Sequence, residues 1–542
     1  MAGGETKQPT KNMKPNPLLF ATLVGIQFVL PAFAVDSTAT NSTEAAQSGI
    51  PALTVAGTTT SSVETEEIEA LKKEVRELGQ KVRALEQQRE VDQQTAAGTA
   101  KEQTRELDQK VRILARQREL DQESAVAAAK AQPRITVGAN GVNFISADSN
   151  FVVAIHGLVQ VDSRTFQKNN HIPGNDSILL RRARPIISGT VFHDFDFTLV
   201  PEFGNGTPGA ASAATTPSIY DAYVNYRYSP AFQVQAGKFK SPVGLEYLQS
   251  DTYTFFNERS IVTDLVPGRD LGFELHGDIA GGVVSYAAGI FNGVGDARNT
   301  SNTGYQDNRE FAGRLFVQPF KATSIAALQN FGAGVGGSWG DSSITNTLGL
   351  PNTTGGSAPG FFTEGQQQFF AYANGVVASR THWRLSPQGS YYYGPLSLFG
   401  EYVISDQEVR NDSYSADLRN TAWEISGGWI LTGEDATSTG VTPKHPFNPH
   451  NGQWGALQVV GRYAELDVDK DAFPFFSNPA VSASSAKAWA VGLNWYLNRN
   501  IRVNASYSRT TFTGGGGAGT SVPAVVTQHP EEVFFTRVQL AF

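Results

Sequence analysis

The sequence predicts an all-β protein: an antiparallel transmembrane β-barrel of about sixteen strands, preceded by an α-helical coiled coil. Three observations carry this. From about Phe151 onward, short runs alternate apolar and polar residues with period 2, separated by Gly, Asn, Asp, Ser and Pro. One face of those runs is large and aromatic, while the other is too polar and charged for a packed soluble interior. The chain also opens on an export segment.

That segment has three regions. Lys11 and Lys14 precede an apolar run from Leu18 to Leu30, Pro31 breaks the run, and Ala32-Phe33-Ala34 is a small-x-small cleavage site. The run is too short to span a bilayer, so residues 1–34 read as a secretory signal peptide cleaved near Ala34. Met13-Lys14 offers a second possible start with a more ordinary basic region. Cleavage removes Lys7, Lys11, Lys14 and Glu5, taking the net charge from −8 to −10. Residues 35–65 are rich in Ser, Thr, Ala and Gly and read as a disordered spacer.

Residues 66–131 carry a heptad seam, with Ile68, Leu71, Val75, Leu78, Val82 and Leu85 spaced alternately by three and four. The segment repeats: Arg76–Gln94 and Arg105–Glu123 are identical at 13 of 19 positions, offset by 29 residues. That offset is one residue more than four heptads, so a skip near Ala96-Ala97-Gly98 is required. A stripe this narrow points to a self-associating, trimeric coiled coil in the periplasm, the alternative being a lone solvated helix. Pro133 ends it.

Residues 151–542 supply the barrel. In Ile219–Tyr228, Tyr220, Ala222, Val224, Tyr226 and Tyr228 share one face, opposite Asp221, Asn225 and Arg227. In Ala488–Leu497 the shared face is Trp489, Val491, Leu493, Trp495 and Leu497; Asn498-Arg499-Asn500 then turns the chain into Ile501, Val503, Ala505 and Tyr507. The last run ends on an aromatic, Phe542. Short turns such as Ile279–Gly282 alternate with long Gly/Ser/Thr/Asn-rich loops such as 204–217, 295–306 and 341–365. At about 24 residues per strand and connection, the region holds about sixteen strands, enough to enclose water.

Composition excludes several alternatives. Zero cysteine rules out disulfide scaffolds, thiolate metal sites and cysteine nucleophiles. A net charge of −8 argues against a nucleic-acid partner. The 8 histidines form no metal-ligand spacing, and no cofactor or metal is expected. Gly332–Gly340 spells both GxGxxG and GxSxG around Ser338, but without the strand–turn–helix context those motifs need; it reads as a barrel strand, not an enzyme's elbow.

Several segments resemble the phosphate-selective porin O and P family: LLRRARPIISGTVFHDFDFTLVPEFG (179–204), SIYDAYVNYRYS (218–229), QAGKFKSPVGLEYL (235–248), FFNERSIVTDLVPGRDLGFELHG (255–277) and YAAGIFNGVGD (286–296). The resemblance implies a homotrimeric, sixteen-stranded outer-membrane channel for small anions such as phosphate or polyphosphate. It implies an inward constriction loop over about 245–268 and a ladder of basic residues. On this sequence the ladder would include Arg181, Arg182 and Arg184 of the RRAR stretch, Lys238 and Lys240 at the loop entry, and Arg259 inside the loop.

Alternation supports part of this. With Ile187, Gly189 and Val191 toward lipid, Arg182 and Arg184 face the lumen, since a lipid-facing guanidinium near midplane costs about 2–4 kcal/mol. Arg181 has the opposite parity: interfacial, snorkelling or displaced by a bulge. Arg227, Arg314, Arg462, Arg502 and Arg537 lie on polar faces, whereas Lys238 and Lys240 point outward unless the pattern breaks at Gly237. Arginine suits anion handling because its fork binds phosphate-like oxygens and keeps its charge. Yet residues 151–542 hold 19 Arg and 7 Lys against 32 Asp and Glu, a net of −6. Asp221, Glu274, Glu310 and Glu424 are candidates to neutralise the ladder, so a weakly selective pore, or a barrel that anchors the coiled coil, stands beside the anion channel.

Overall fold

The computed structural model describes residues 64–130, 132–167, 174–204, 217–300, 307–341, 349–351, 358–517 and 527–542. The export segment, and the spacer up to residue 63, lie outside the described residues.

Helix α1 (Glu64–Lys130) begins two residues before the heptad seam and ends ahead of Pro133. Its second repeat leaves Leu107, Val111 and Leu114 exposed by 65%, 56% and 65%, in a narrow stripe.

A hairpin follows, β1 (Arg134–Gly138) and β2 (Gly141–Ile145), and β2 pairs with the first barrel strand. The next strands are β3 (Phe151–Phe166), β4 (Ser177–Val191), β5 (Phe195–Glu202), β6 (Ser218–Ser229), β7 (Phe232–Lys240), β8 (Arg269–Ile279), β9 (Val284–Phe291), β10 (Glu310–Val317) and β11 (Gly332–Asp341). A separate small hairpin is β12 (Gly360–Phe362) and β13 (Gln368–Ala371). The remainder are β14 (Val377–Tyr393), β15 (Leu396–Asn411), β16 (Tyr414–Ile430), β17 (Ala456–Asp467), β18 (Ala483–Tyr496), β19 (Ile501–Gly514) and β20 (Glu531–Ala541). Strands β3–β11 and β14–β20 pair antiparallel in sequence order. β20 then pairs with β3, from Val533↔Phe166 to Ala541↔Leu158, closing a sixteen-stranded barrel that leaves no edge.

Exposure alternates as the barrel requires. Trp423, Ile425 and Trp429 are exposed on β16, with Ala422, Glu424 and Ser426 buried between them. Connections at one end are short: 192–194, 230–231, 280–283, 394–395 and 497–500. That end, beside Phe542, is the periplasmic one by the usual asymmetry of such barrels. Two of its connections depart from the expected pattern, 318–331 and 431–455, while the opposite end has one tight turn at 412–413.

The interior departs from a purely polar lumen. Ile261, Val262 and Leu265 of the inward-folded 241–268 segment join Phe361, Phe369 and Phe370 of the β12–β13 hairpin. They pack on inward Val403, Val409, Leu418, Leu466 and Phe512 of the wall. Each fully buried side chain of this kind contributes about 1.5–3 kcal/mol, which fixes two loops inside the barrel.

Candidate functional site

The segment 241–268 joins β7 to β8 by crossing the lumen, and the barrel wall is shaped to receive it. Inward positions on β11 are small, and a Cβ on Gly336 would lie 2.2 Å from the Val243 carbonyl oxygen. Gln388 Nε2 donates to that carbonyl (2.8 Å), and the Glu401 carboxylate accepts from the Leu245 and Glu246 N–H groups (2.8 and 2.9 Å). On the far wall, Arg502 donates to Thr254 O, and Asn494 and Asn504 donate to Phe255 O. The loop is thus held from opposite sides.

The basic residues gather at its tip. A register shift between Gln160 and Val161 makes Arg181 the extra residue of a bulge, so Arg181 turns inward with Arg182 and Arg184. Arg181 donates to Glu258 through Nε (2.6 Å) and Nη2 (3.1 Å), and Arg164 Nη2 joins it (2.8 Å). Arg182 faces Asp251 at 3.4 Å, Arg184 bridges Asp251 and Glu202, and Arg259 reaches Asp251 at 2.7 Å. Arg537 holds Asp162 with two bonds of 2.6 and 2.7 Å. Six guanidiniums therefore share four carboxylates. Burial alone would raise the Asp251 and Glu258 carboxyls, but the surrounding guanidiniums outweigh it and hold both well below the usual carboxylate range.

A second bulge corrects the alternation reading of β6. The register slips between Val200 and Pro201, so Tyr220 leaves the expected lipid face and sits between Arg184 and Arg269, 3.6 and 3.4 Å from its ring centre. Arg269 in turn pairs with Asp221 at 2.8 Å.

The lysines also depart from simple alternation. The backbone at Gly237 has φ of 134°, the pairing register runs through it without a shift, and beyond it both lysines fold onto the loops at the strand end. Lys238 donates to Thr300 O (2.6 Å), and Lys240 donates to Leu248 O and Gln249 O (3.2 and 2.6 Å). Arg314 faces the lumen and donates to Gln388 Oε1 at 2.8 Å. Among the described residues neither Lys240 nor Arg314 forms an ion pair, and both line one cavity of about 220 Å³ with Glu274 and His276. Arg227 stands apart from these, half exposed at the periplasmic rim on Asp196 at 3.0 Å.

Across the lumen the balance reverses. Arg462 pairs with both Glu246 and Glu364, and Arg384 with both Asp296 and Glu310. Ser338 is an inward β11 residue whose hydroxyl accepts from Arg384 at 3.1 Å.

A sequence profile of the family described as phosphate-selective porin O and P matches residues 153–516, nearly the whole barrel. The chain belongs to the phosphate-selective porin O and P family. Porin O of Pseudomonas aeruginosa is 23% identical over 385 residues, covering 68% of this chain and 84% of that relative. Among solved structures, the chain is similar to the outer membrane channel DcaP of Acinetobacter baumannii (10% identity, TM-score 0.46, 72% of this chain and 98% of that one). It is also similar to the anion-selective porin from Comamonas acidovorans (12% identity, TM-score 0.45, 72% of this chain and 100% of that one). The protein is an outer-membrane porin, a channel rather than an enzyme.

Several lumenal groups of this porin carry no sequence signal: Tyr220 hidden by its bulge, Glu202 in a run reading VPEFG, and Glu364 in a polar loop. The RRAR stretch marked the neighbourhood of the first two; nothing marked the third.

Proposed function

We propose that this porin passes small anions, phosphate-like oxyanions among them, along the arginine cluster at the tip of the inward loop. The supporting observation is the six-to-four ratio of guanidiniums to carboxylates formed by Arg164, Arg181, Arg182, Arg184, Arg259 and Arg537 on Asp162, Glu202, Asp251 and Glu258. The excess positive charge lowers the barrier for an anion where the loop narrows the channel, and forked donors replace its lost water. Lys240 and Arg314 extend the path toward the periplasm, Lys238 backs it, and Arg227 lies at its mouth.

A weakly selective pore is the second reading, favoured by the doubly paired Arg384 and Arg462 on the opposite wall. Reversal potentials in a potassium chloride gradient separate the two: the anion reading requires chloride to be preferred, and a cation-preferring channel sinks it.

The porin works as a homotrimer in this reading, with lipid around the outer wall. Three copies of α1 bury the Leu107–Val111–Leu114 stripe against one another in the periplasm. Among the described residues no other helix of comparable length offers this narrow stripe a matching partner. Cross-linking of full-length protein against a 64–130 deletion tests this, and an equally stable trimer without the helix would overturn it.

A further inference from the structure

The periplasmic connection 431–455 folds back beneath the lumen instead of looping away. Ala436 N–H donates to Gly394 O at 2.7 Å, and Ala436 and Val441 pack with Ile430, Ala456 and Tyr496. Gly440 lies directly against the Tyr253 ring, where an added Cβ would come within 2.8 Å. The connection therefore meets the tip of the inward loop from the opposite side, and the two enclose a chamber of about 550 Å³ with the wall.

The chemistry of this chamber differs from that of the ladder. Arg502 lines it and is only 2% exposed. Its Nη1 donates to Thr254 O (2.8 Å) and Nη2 to Gln539 Oε1 (3.2 Å), while Nε has no partner. Among the described residues Arg502 forms no ion pair; the carboxylate of nearby Asp162 is already engaged twice by Arg537. Arg499 and His156 add basic groups, and no aspartate or glutamate lines the chamber among the described residues. A buried cation without a counter-ion is costly, and an anion brought in by diffusion relieves that cost. The volume is far more than a bare phosphate fills. The flat rings of Tyr253 and Tyr496, with threonine hydroxyls such as Thr442 beside them, suit a hydroxylated ring attached to the anionic group.

We propose that this chamber is a binding site for a sugar-sized phosphorylated anion, with the phosphate on Arg502 and the sugar against the tyrosines. The proposal rests on the anion-conducting reading above.

Planar-bilayer recording of chloride current through the full chain tests it, with glucose 6-phosphate, glucose or inorganic phosphate added on the periplasmic side. Glucose 6-phosphate interrupts the current at concentrations at least tenfold below inorganic phosphate, and glucose does not. Arg502→Gln raises the half-blocking concentration at least tenfold. Thr442→Trp narrows the chamber from the connection while leaving the Arg502 residue itself in place and does the same, which keeps the test open should Arg502→Gln fold poorly. Equal block of wild type and either variant at unchanged conductance would overturn the proposal, as would glucose 6-phosphate no more potent than inorganic phosphate. A wild-type channel that prefers potassium overturns the conduction reading and this site with it; a chloride-preferring channel with variant-insensitive block overturns the site alone.

Discussion

Glu258→Gln isolates what holds the inward loop. The Glu258 carboxylate is 7% exposed and accepts from Arg181 at 2.6 and 3.1 Å and from Arg164 at 2.8 Å, with Arg537 a further 3.9 Å away. Glutamine keeps the shape, removes the charge and turns an amide donor toward guanidiniums that also donate. Breaking a buried pair by removing one partner costs about 3–5 kcal/mol. The barrel ladder is untouched, so the cost falls on local opening of the loop. At about 1.4 kcal/mol per tenfold, opening becomes roughly two to three orders of magnitude more frequent. Hydrogen exchange in detergent reads this at the Ser260 N–H, which donates to Glu246 Oε2 at 2.8 Å, and at the Tyr253 N–H, which donates to Ser250 O at 2.9 Å. Exchange at both sites within threefold of wild type would refute the claim that these ion pairs pin the loop. Removing one negative charge also shifts the reversal potential further toward chloride.

Gly336→Val places a side chain where the Val243 carbonyl passes, so the loop loses its seat on β11 at a cost of about 1–3 kcal/mol; thermal unfolding of the loop-bearing barrel should fall accordingly. Asp264 is half-buried between Val262 and Leu265 of the apolar cluster, and desolvation pushes its carboxyl up to about 8 against a partial offset from the Phe362 N–H. Its folded value lies above an unfolded one of about 4, so the stability linked to the neutral acid is lost as pH rises through 8. Asp264→Asn should match wild type near pH 4, gain on it as pH rises from 4 to 8, and unfold at a higher temperature than wild type at pH 9; a difference between the two that does not grow between pH 4 and pH 9 would contradict this. Replacing Leu107, Val111 and Leu114 together by serine should abolish α1-dependent cross-linking while leaving conductance per barrel unchanged, measured on the same preparation.

The barrel was legible because its signal repeats: every spanning strand must alternate, and short turns recur between the strands. Arg182 and Arg184 were placeable because their strand alternates cleanly toward Val191. Tyr220 and Arg181 were not, since one inserted residue inverts every parity beyond it and leaves no mark on the period. The inward hairpin and the 431–455 connection carry no such repeating signal, for a related reason. Their partners are wall residues distant in the chain, so Phe361, Phe369 and Phe370 show no local period that would reveal a core. Net charge misled in the same way. The −6 of residues 151–542 is an average over two walls of opposite excess, and only the folded register separates the arginine-rich side from the acid-rich one.

Ion selectivity of the purified porin in planar bilayers decides whether that arginine-rich side governs permeation. Under a potassium chloride gradient, wild type should give a reversal potential of the sign set by chloride, and Arg182→Ala with Arg184→Ala should move it toward zero. A wild-type potential of potassium sign, or one that the double variant leaves in place, would contradict the anion channel.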